Sequence, residues 1–220
     1  MELVIENDVG QDLIQAPSRD VMHGIFPTPV MFDQFPRAFT KKEMNFVNNL
    51  EQRPNQGNTT SVDNYVLRNK ELSDINKFIH DGLDKFLKQV YAPRHDVKLY
   101  VTQSWFNYTE PGQYHHKHEH PNSFVSGVLY MNADVDKDKI FFYRNGYQQL
   151  KLPTDTYNPF NSESWYFTVG TGGMTLFPSG LTHMVETVEA EGTRISLAFN
   201  TFFDGYVGEE NDLTGLRLVK

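Results

Sequence analysis

The sequence predicts a mainly β protein, a sandwich or barrel supported by two helices that precede it along the chain. Aromatic residues are abundant, with 17 Phe, 11 Tyr and 2 Trp in 220 residues, and aromatic side chains favour strands. After residue 97, short aromatic and β-branched runs recur between Gly, Pro, Asn and Asp turn signals, whereas helical periodicity is confined to the preceding part.

Two helices are expected in the first 90 residues. Residues 1–24 are weakly patterned and are expected to form a loosely packed N-terminal arm. Thr40 and Glu43 fit a capping box, which predicts a helix over about 40–52. A second helix is predicted over about 73–90, because its apolar residues recur every three or four positions.

The β core is expected over about 97–203, and residues 25–220 are predicted to form one domain. Its candidate strands are Val97–Tyr108, Ser123–Asn132, Ile140–Tyr143, Trp165–Val169, Met174–Phe177, His183–Val188 and Arg194–Phe203. The longest candidate loop, Leu150–Ser164, is expected to cover the mouth of the fold, since long loops in compact domains are often lids.

Composition excludes several functional classes. Lys and Arg number 20 against 28 Asp and Glu, for a net charge of −8, which disfavours nucleic acid as the main partner. The absence of cysteine removes disulfides, thiolate metal sites and cysteine nucleophiles. No apolar run is long enough to span a membrane, and the first residues do not resemble a signal peptide, so a cytoplasmic protein of the producing or host cell is expected. The sequence leaves a homo-oligomer open.

A histidine-rich segment is the strongest functional signal. Four of the 8 histidines lie between His115 and His120. In a strand, alternate residues share a face, which places together His116, His118 and His120 and turns His115 to the opposite face. Two imidazoles at i and i+2 can bind one metal ion, and imidazole suits Fe, Zn, Cu and Ni. His183 is the best candidate for a third ligand, because it begins a predicted strand and no histidine follows it.

A second candidate site lies on the last predicted strand. Arg194 and Ser196 point to the same side of this strand. The apolar residues Ile195, Leu197 and Phe199 point to the opposite side, into packing. An inward guanidinium requires an anionic partner, and its planar fork suits a carboxylate. That partner is either a ligand or an Asp or Glu of the chain itself.

Several motifs between residues 100 and 203 together resemble one known family. They are Trp105-Phe106-Asn107, Gly112, His118-x-His120-Pro121, Ser126-Gly127-Val128-Leu129-Tyr130, Phe177-Pro178-Ser179-x-x-x-His183 and Arg194-Ile195-Ser196-x-x-Phe199-Asn200. In this order they resemble the Fe(II)/2-oxoglutarate-dependent oxygenases found in marine bacteria and their phages. The resemblance implies a double-stranded β-helix (jelly roll) with the metal in its mouth.

The resemblance also implies which residues bind the iron. His118 and His120 occupy the first ligand motif, and His183 is the distal ligand. Most such oxygenases have Asp or Glu two positions after the first histidine, whereas this chain has His120, and Glu119 is one position off. Either the triad consists of three histidines, or one of the pair is not a ligand, with His116 in reserve.

The cosubstrate site is implied in the same way. Arg194 and Ser196 would hold the distal carboxylate of 2-oxoglutarate, and Tyr130 and Asn107 also match positions of this site. The implied activity is a hydroxylase that uses Fe(II) and 2-oxoglutarate. The substrate is a small molecule or a peptide, and prolyl hydroxylation is an analogy to the nearest known chemistry.

An alternative interpretation uses the same histidines. Gly112-x5-His118-x-His120 and Gly172-x5-Pro178-x-Gly180-x2-His183 fit parts of the two cupin motifs, although the expected cupin glutamate is missing. A cupin-type metal enzyme that does not use 2-oxoglutarate is therefore the alternative, and an inert binding module is a third. A cupin has no need of Arg194-x-Ser196, which favours the oxygenase.

Overall fold

A computed structural model describes residues 24–146 and 152–219 of the chain. Except for Gly24, the predicted N-terminal arm lies outside the described residues. The helices are α1 (Lys41–Asn48) and α2 (Ser73–Phe86), and a π-helical turn, Leu87–Tyr91, extends α2. The strands are β1 (Met31–Gln34), β2 (Gln52–Pro54), β3 (Thr59–Ser61), β4 (Val97–Thr109), β5 (His115–His118), β6 (Val125–Asn132), β7 (Lys139–Tyr143), β8 (Ser164–Thr168), β9 (Gly173–Pro178), β10 (His183–Val185), β11 (Arg194–Val207) and β12 (Leu216–Leu218).

These strands form two antiparallel sheets that face each other and together make a jelly roll. The larger sheet has the order β1-β9-β6-β11-β4-β3-β2, with β12 paired to β11, and the smaller has the order β5-β10-β7-β8. Neighbouring strands are mostly distant in sequence, because the chain crosses between the sheets. The mainly β, double-stranded β-helix fold with two supporting helices is confirmed.

The two helices were predicted correctly in position but not in every boundary. The Thr40 hydroxyl accepts from the Glu43 backbone N–H and the Glu43 carboxylate accepts from the Thr40 N–H, which completes the capping box. The first helix nevertheless ends at Asn48 rather than near residue 52. Gln52–Pro54 forms β2 instead, because this segment pairs with β3 in the larger sheet.

All seven predicted strands are present, whereas five short strands were not among them: β5 within the predicted core and four strands outside it. β1, β2 and β3 precede residue 97, and β12 follows residue 203. β2 and β3 consist almost wholly of polar residues, so no apolar alternation marks them. β11 also continues to Val207, four residues beyond its predicted end.

The larger sheet separates two hydrophobic cores. Its outer face packs against α2, with buried Leu129, Leu197 and Phe199 beneath Ile79 and Leu83. Its inner face turns towards the smaller sheet. The core between the sheets is smaller, and its buried members are Tyr130, Ile140, Phe142, Val169, Phe177 and Leu181. This inner space also receives polar side chains of both sheets, and it contains the candidate site.

Gly127 allows β6 to lie close to its neighbours on the helix side. A methyl group at this position would overlap the Phe199 ring and the Leu176 side chain. We expect Gly127→Ala to lower the free energy of unfolding by about 1–3 kcal/mol, since overpacking a filled core forces side chains to shift. Urea denaturation measures this change. Gly180→Ala is the control, because a methyl group there meets open space, and equal losses in both variants would contradict the explanation.

Candidate metal and cosubstrate site

Pairing between β5 and β10 brings together histidines that are more than 60 residues apart in sequence. His118 lies directly opposite His183 in this antiparallel pair, and such partners have Cβ atoms about 4.5–5.5 Å apart. His120 follows β5, and its backbone N–H donates to the Ser179 carbonyl at 3.0 Å. That hydrogen bond holds the segment after β5 beside the turn that precedes β10.

Two of these imidazoles are oriented by hydrogen bonds to main-chain carbonyls. The Nδ1 atom of His118 lies 2.7 Å from the His116 carbonyl oxygen, and that of His183 lies 2.9 Å from the Leu181 carbonyl oxygen. A carbonyl only accepts, so Nδ1 carries the proton in both rings. The lone pair is therefore on Nε2, the arrangement typical of metal-binding histidines.

The three rings are close enough to share one ion. The Nε2 atoms of His120 and His183 are 3.2 Å apart, and one ligand atom from each of His118, His120 and His183 lies within 4.8 Å of the others. Two nitrogens about 2.1 Å from one ion and at right angles to each other would be about 3.0 Å apart. The arrangement thus fits one divalent cation.

Electrostatics keeps these imidazoles neutral. Burial lowers the pKa of His183 to about 3 and that of His120 to about 4, with neighbouring imidazoles adding to the effect. Burial is also the main cause that lowers the pKa of His118. Neutral imidazole is the form that binds a metal, so the site requires no proton release from these rings near pH 7.

The remaining residues of the histidine-rich segment take different positions. The Glu119 carboxylate is exposed and accepts a hydrogen bond from the Thr182 hydroxyl. Among the described residues, the groups that could hold a metal ion contain histidine alone, and a second such group consists of His115, His116 and His118. The Nδ1 atom of His116, the predicted reserve ligand, is buried without a hydrogen-bond partner.

The predicted face of His115 is wrong. Simple alternation places it away from His118, but the β5–β10 pairing contains an irregularity in which His118 faces His183 and His115 faces Val185. Three residue steps on β5 therefore oppose two on β10, as in a β-bulge. Because His183 and Val185 share a face, His115 is turned to the same side as His118.

The predicted cosubstrate residues lie together on the inner face of the larger sheet. Ser196 on β11 is directly opposite Asn107 on β4 and Tyr130 on β6. Arg194 precedes Ser196 by two positions on the same strand face, and its guanidinium carbon lies 5.1 Å from the centre of the Tyr130 ring. Four polar side chains from three adjacent strands thus surround one point.

Several buried polar atoms at this point have no partner within the described parts of the chain. They are Nε and Nη1 of Arg194, the Tyr130 hydroxyl and Oδ1 of Asn107. Arg194 is only 3% exposed, and no salt bridge links it to a described carboxylate. An anion that fills this space would accept hydrogen bonds from the Arg194 guanidinium and the Tyr130 hydroxyl, and a carboxylate matches the guanidinium fork. Oδ1 of Asn107 is an acceptor and requires a donor instead.

Tyr130 and a residue missed by the sequence interpretation complete this environment. Burial raises the pKa of Tyr130, and Arg194 and Thr175 lie near its hydroxyl without forming a well-aligned hydrogen bond. The phenol therefore keeps its proton and remains available as a donor. Thr175 is 1% exposed. It lies two residues before the inward Phe177 in a predicted strand, so residue alternation could have identified it as an inward residue.

One row of side chains crosses the smaller sheet from the histidines to its edge. His118 faces His183, His183 faces Phe142, and Phe142 faces Trp165 on the edge strand β8. Phe142 is buried, whereas Trp165 is 40% exposed. The row therefore leads from the candidate metal site to an open aromatic surface.

The predicted lid begins at the end of this row. β7 ends at Tyr143, one residue after Phe142, and the following loop leads to β8. The structure describes residues 152–163 of the predicted loop Leu150–Ser164, whereas positions 150 and 151 lie outside the described residues. The loop thus departs from the histidine end of the fold, and its covering of the mouth stays a prediction.

The jelly roll brings together three neutral imidazoles and a buried arginine without an acidic partner among the described residues, a combination that suits a metal ion and an anionic ligand. Residues 103–200 match the family model described as "Putative 2OG-Fe(II) oxygenase". Over these residues the chain is similar to that family, whose description names Fe(II) and 2-oxoglutarate. No curated protein matches the chain.

Solved structures share this fold at low sequence identity. A 2OG-Fe(II) oxygenase family oxidoreductase from Burkholderia pseudomallei is 15% identical, with a TM-score of 0.52 over 72% of this chain and 74% of that one. HygX from Streptomyces hygroscopicus, solved with nickel, 2-oxoglutarate and hygromycin B, is 11% identical, with a TM-score of 0.55 over 79% and 82%. A Trichoplax adhaerens prolyl hydroxylase, in complex with a hypoxia inducible factor peptide fragment, is 13% identical, with a TM-score of 0.54 over 79% and 83%.

The helices of the described residues give no sign of membrane insertion. None of them combines the length and the apolar character needed to cross a lipid bilayer.

The unpaired arginine should destabilise the ligand-free protein. We expect Arg194→Met to raise the free energy of unfolding by about 1–2 kcal/mol, because a buried charge without a partner is replaced by an apolar side chain. Arg37→Met is the matched control. Arg37 pairs with the buried Glu43 at 2.7 Å, so its loss should lower stability by more than about 1 kcal/mol.

Chemical denaturation of both variants, without cosubstrate, measures these changes. A loss after Arg194→Met as large as that after Arg37→Met would show that the guanidinium of Arg194 is already paired in the free protein.

Proposed function

We propose that His118, His120 and His183 hold the catalytic Fe(II). The proposal is supported by the 3.2 Å separation of two Nε2 atoms and by the main-chain hydrogen bonds that fix the tautomers of His118 and His183. Imidazole is a suitable ligand for iron. The residues present therefore fit the metal that the family requires.

The proposed ligand set contains three histidines and no carboxylate. Glu119, the nearest acid in sequence, is turned to Thr182 on the outside of the fold. His120 occupies the position at which most such enzymes have an acid. Compared with two histidines and a carboxylate, this set is less negative by one charge, which leaves more of the positive charge of the ion for an incoming anion.

We further propose that Arg194, Ser196, Tyr130 and Asn107 hold the distal carboxylate of 2-oxoglutarate. The single observation that carries this proposal is the buried guanidinium of Arg194, which has no acidic partner among the described residues. A dicarboxylate that reaches from the imidazoles to this point satisfies both the metal and the arginine. The cupin-type alternative leaves Arg194 without a role.

Iron and 2-oxoglutarate, when bound, would use dioxygen to hydroxylate an unreactive C–H bond, with one oxygen atom going to the substrate and the other to succinate as carbon dioxide is released. The chain contributes binding and orientation. His118, His120 and His183 fix the position of the ion, and Arg194 and the protonated Tyr130 orient the cosubstrate. Buried apolar side chains between the sheets, Phe142 and Phe177 among them, exclude water from this space.

For the substrate, we propose a small molecule or a peptide that approaches over the aromatic edge of the smaller sheet. HygX was solved with the small molecule hygromycin B, and the Trichoplax enzyme with a peptide fragment. Trp165 offers an exposed aromatic surface in the same row as His183. Prolyl hydroxylation is the first reaction to examine, with succinate formation as the assay.

The metal assignment predicts the effect of removing one ligand. His183→Ala should bind Mn(II), used as a redox-stable substitute for Fe(II), at least about tenfold more weakly than the wild type, because one of three protein ligands is lost. Glu119→Gln is the control and should bind Mn(II) normally. Electron paramagnetic resonance of free Mn(II) measures both. Full binding by His183→Ala, or loss in Glu119→Gln, would refute the three-histidine set.

The cosubstrate assignment predicts that Arg194→Lys is not conservative. Lysine keeps the charge but loses the fork that binds a carboxylate through two parallel hydrogen bonds. We expect the affinity for 2-oxoglutarate to fall about tenfold, or about 1.4 kcal/mol, while Mn(II) affinity is unchanged. Calorimetric titration of 2-oxoglutarate into Mn(II)-loaded protein measures this. If the wild type does not bind 2-oxoglutarate, the cupin-type alternative is favoured.

A further inference from the structure

His115 is a half-buried imidazole for which the proposed function has no role so far. The irregular register of β5 turns it to the same side as His118 and His183. Its ring stacks on that of His118, with centres 4.6 Å apart and planes at 22°. The chain therefore places a fourth imidazole inside the fold, directly against a proposed ligand.

The surroundings of His115 extend from the proposed metal ligands to the cosubstrate site. Burial and, to a smaller extent, the nearby groups of His118, His116, His183 and Arg194 together lower the pKa of His115 to about 2. The ring stack on His118 and the register that turns His115 to the side of His183 place it beside the space that a dicarboxylate between the histidines and Arg194 would occupy.

No hydrogen bond occupies the ring nitrogens of His115 among the residues at 24–146 and 152–219. A neutral imidazole carries one N–H donor and one acceptor, so this ring has a donor available for a ligand. 2-Oxoglutarate brings two carboxylates, and Arg194 can pair with one of them. A second donor close to the metal ligands would form a hydrogen bond with the other carboxylate.

We propose that the His115 imidazole donates a hydrogen bond to a carboxylate of bound 2-oxoglutarate and so positions this cosubstrate beside the metal. The inference rests on the proposed function, since it requires 2-oxoglutarate between the histidines and Arg194. His115 would thus contact the cosubstrate although it does not belong to the ligand motif formed by His118 and His120. The contact exists only because a bulge in β5 reverses the face of His115.

The alternative role for His115 is as a metal ligand, because His115, His116 and His118 also form a group that could hold an ion. His118 donates from Nδ1 to the His116 carbonyl, which leaves only its Nε2 for a metal. The two histidine groups would then compete for that one atom. His120 and His183 have the closer pair of nitrogens, at 3.2 Å, so we assign the ion to their group.

The test compares two substitutions of His115. His115→Phe keeps a planar ring against His118 but removes the N–H donor, whereas His115→Gln keeps a donor. Lys117→Leu is the matched control on the same strand, since Lys117 points outward and lies over the Tyr143 ring at 3.7 Å. Calorimetry measures 2-oxoglutarate binding to the Mn(II)-loaded proteins, and a separate titration measures Mn(II) binding to the metal-free proteins.

We expect His115→Phe to bind 2-oxoglutarate about tenfold more weakly, which corresponds to about 1.4 kcal/mol. His115→Gln and Lys117→Leu should stay within about threefold of the wild type, and Mn(II) affinity should be the same in all four proteins. If His115→Phe fails to fold, as judged by circular dichroism, the smaller His115→Leu replaces it.

Two results would overturn the inference. Unchanged 2-oxoglutarate affinity in His115→Phe would show that no such hydrogen bond forms. A loss of Mn(II) affinity in both His115→Phe and His115→Gln would make His115 a ligand instead. Failure of the wild type to bind 2-oxoglutarate would refute the proposed function itself, so the two failures are distinguishable.

Discussion

The candidate site depends on the antiparallel pairing of β11 between β4 and β6. This pairing sets Ser196 opposite both Asn107 and Tyr130, and it turns Arg194 to the same inner face. The opposite face of β11 buries Leu197 and Phe199 beneath the helices. A slip of one residue would exchange the two faces, which would expose the apolar side chains and remove the guanidinium from the interior. The same register therefore fixes the hydrophobic core and the polar site.

Residue alternation was sufficient to predict much of this arrangement. Arg194 and Ser196 were placed on one face of a strand from the sequence, and the structure has them there. His115 could not be placed in this way, because the irregularity in β5 depends on pairing with β10, which is distant in sequence. β3 is a similar case: its three residues, Thr59–Ser61, are polar and are a strand only because they pair with β2 and β4. The local sequence pattern predicts structure that local packing determines. The face of His115 and the strand β3 are determined instead by pairing with strands that are distant in sequence.

The site is maintained against its own energetic cost. It contains the buried guanidinium of Arg194, which has no acidic partner among the described residues, and several neutral imidazoles. Each of these buried polar groups costs free energy until a ligand binds. The helix side of the larger sheet offsets this cost. Along α2, Ile75, Ile79, Leu83 and Phe86 are fully buried against the sheet, and the space between the sheets has fewer buried apolar side chains. Stability thus comes mainly from one face of the sheet, and chemistry from the other.

Both tryptophans of the chain lie near the candidate site. The Trp105 ring centre is 5.9 Å from that of His120, and Trp165 ends the row that starts at His118 and His183. Intrinsic fluorescence of this protein is therefore a reporter of the site rather than of the fold as a whole. The two emitters are also separable, since Trp105 adjoins the histidines and Trp165 lies at the exposed edge. The chain thus carries two built-in optical probes, one beside the histidine cluster and one at the exposed aromatic edge of the smaller sheet.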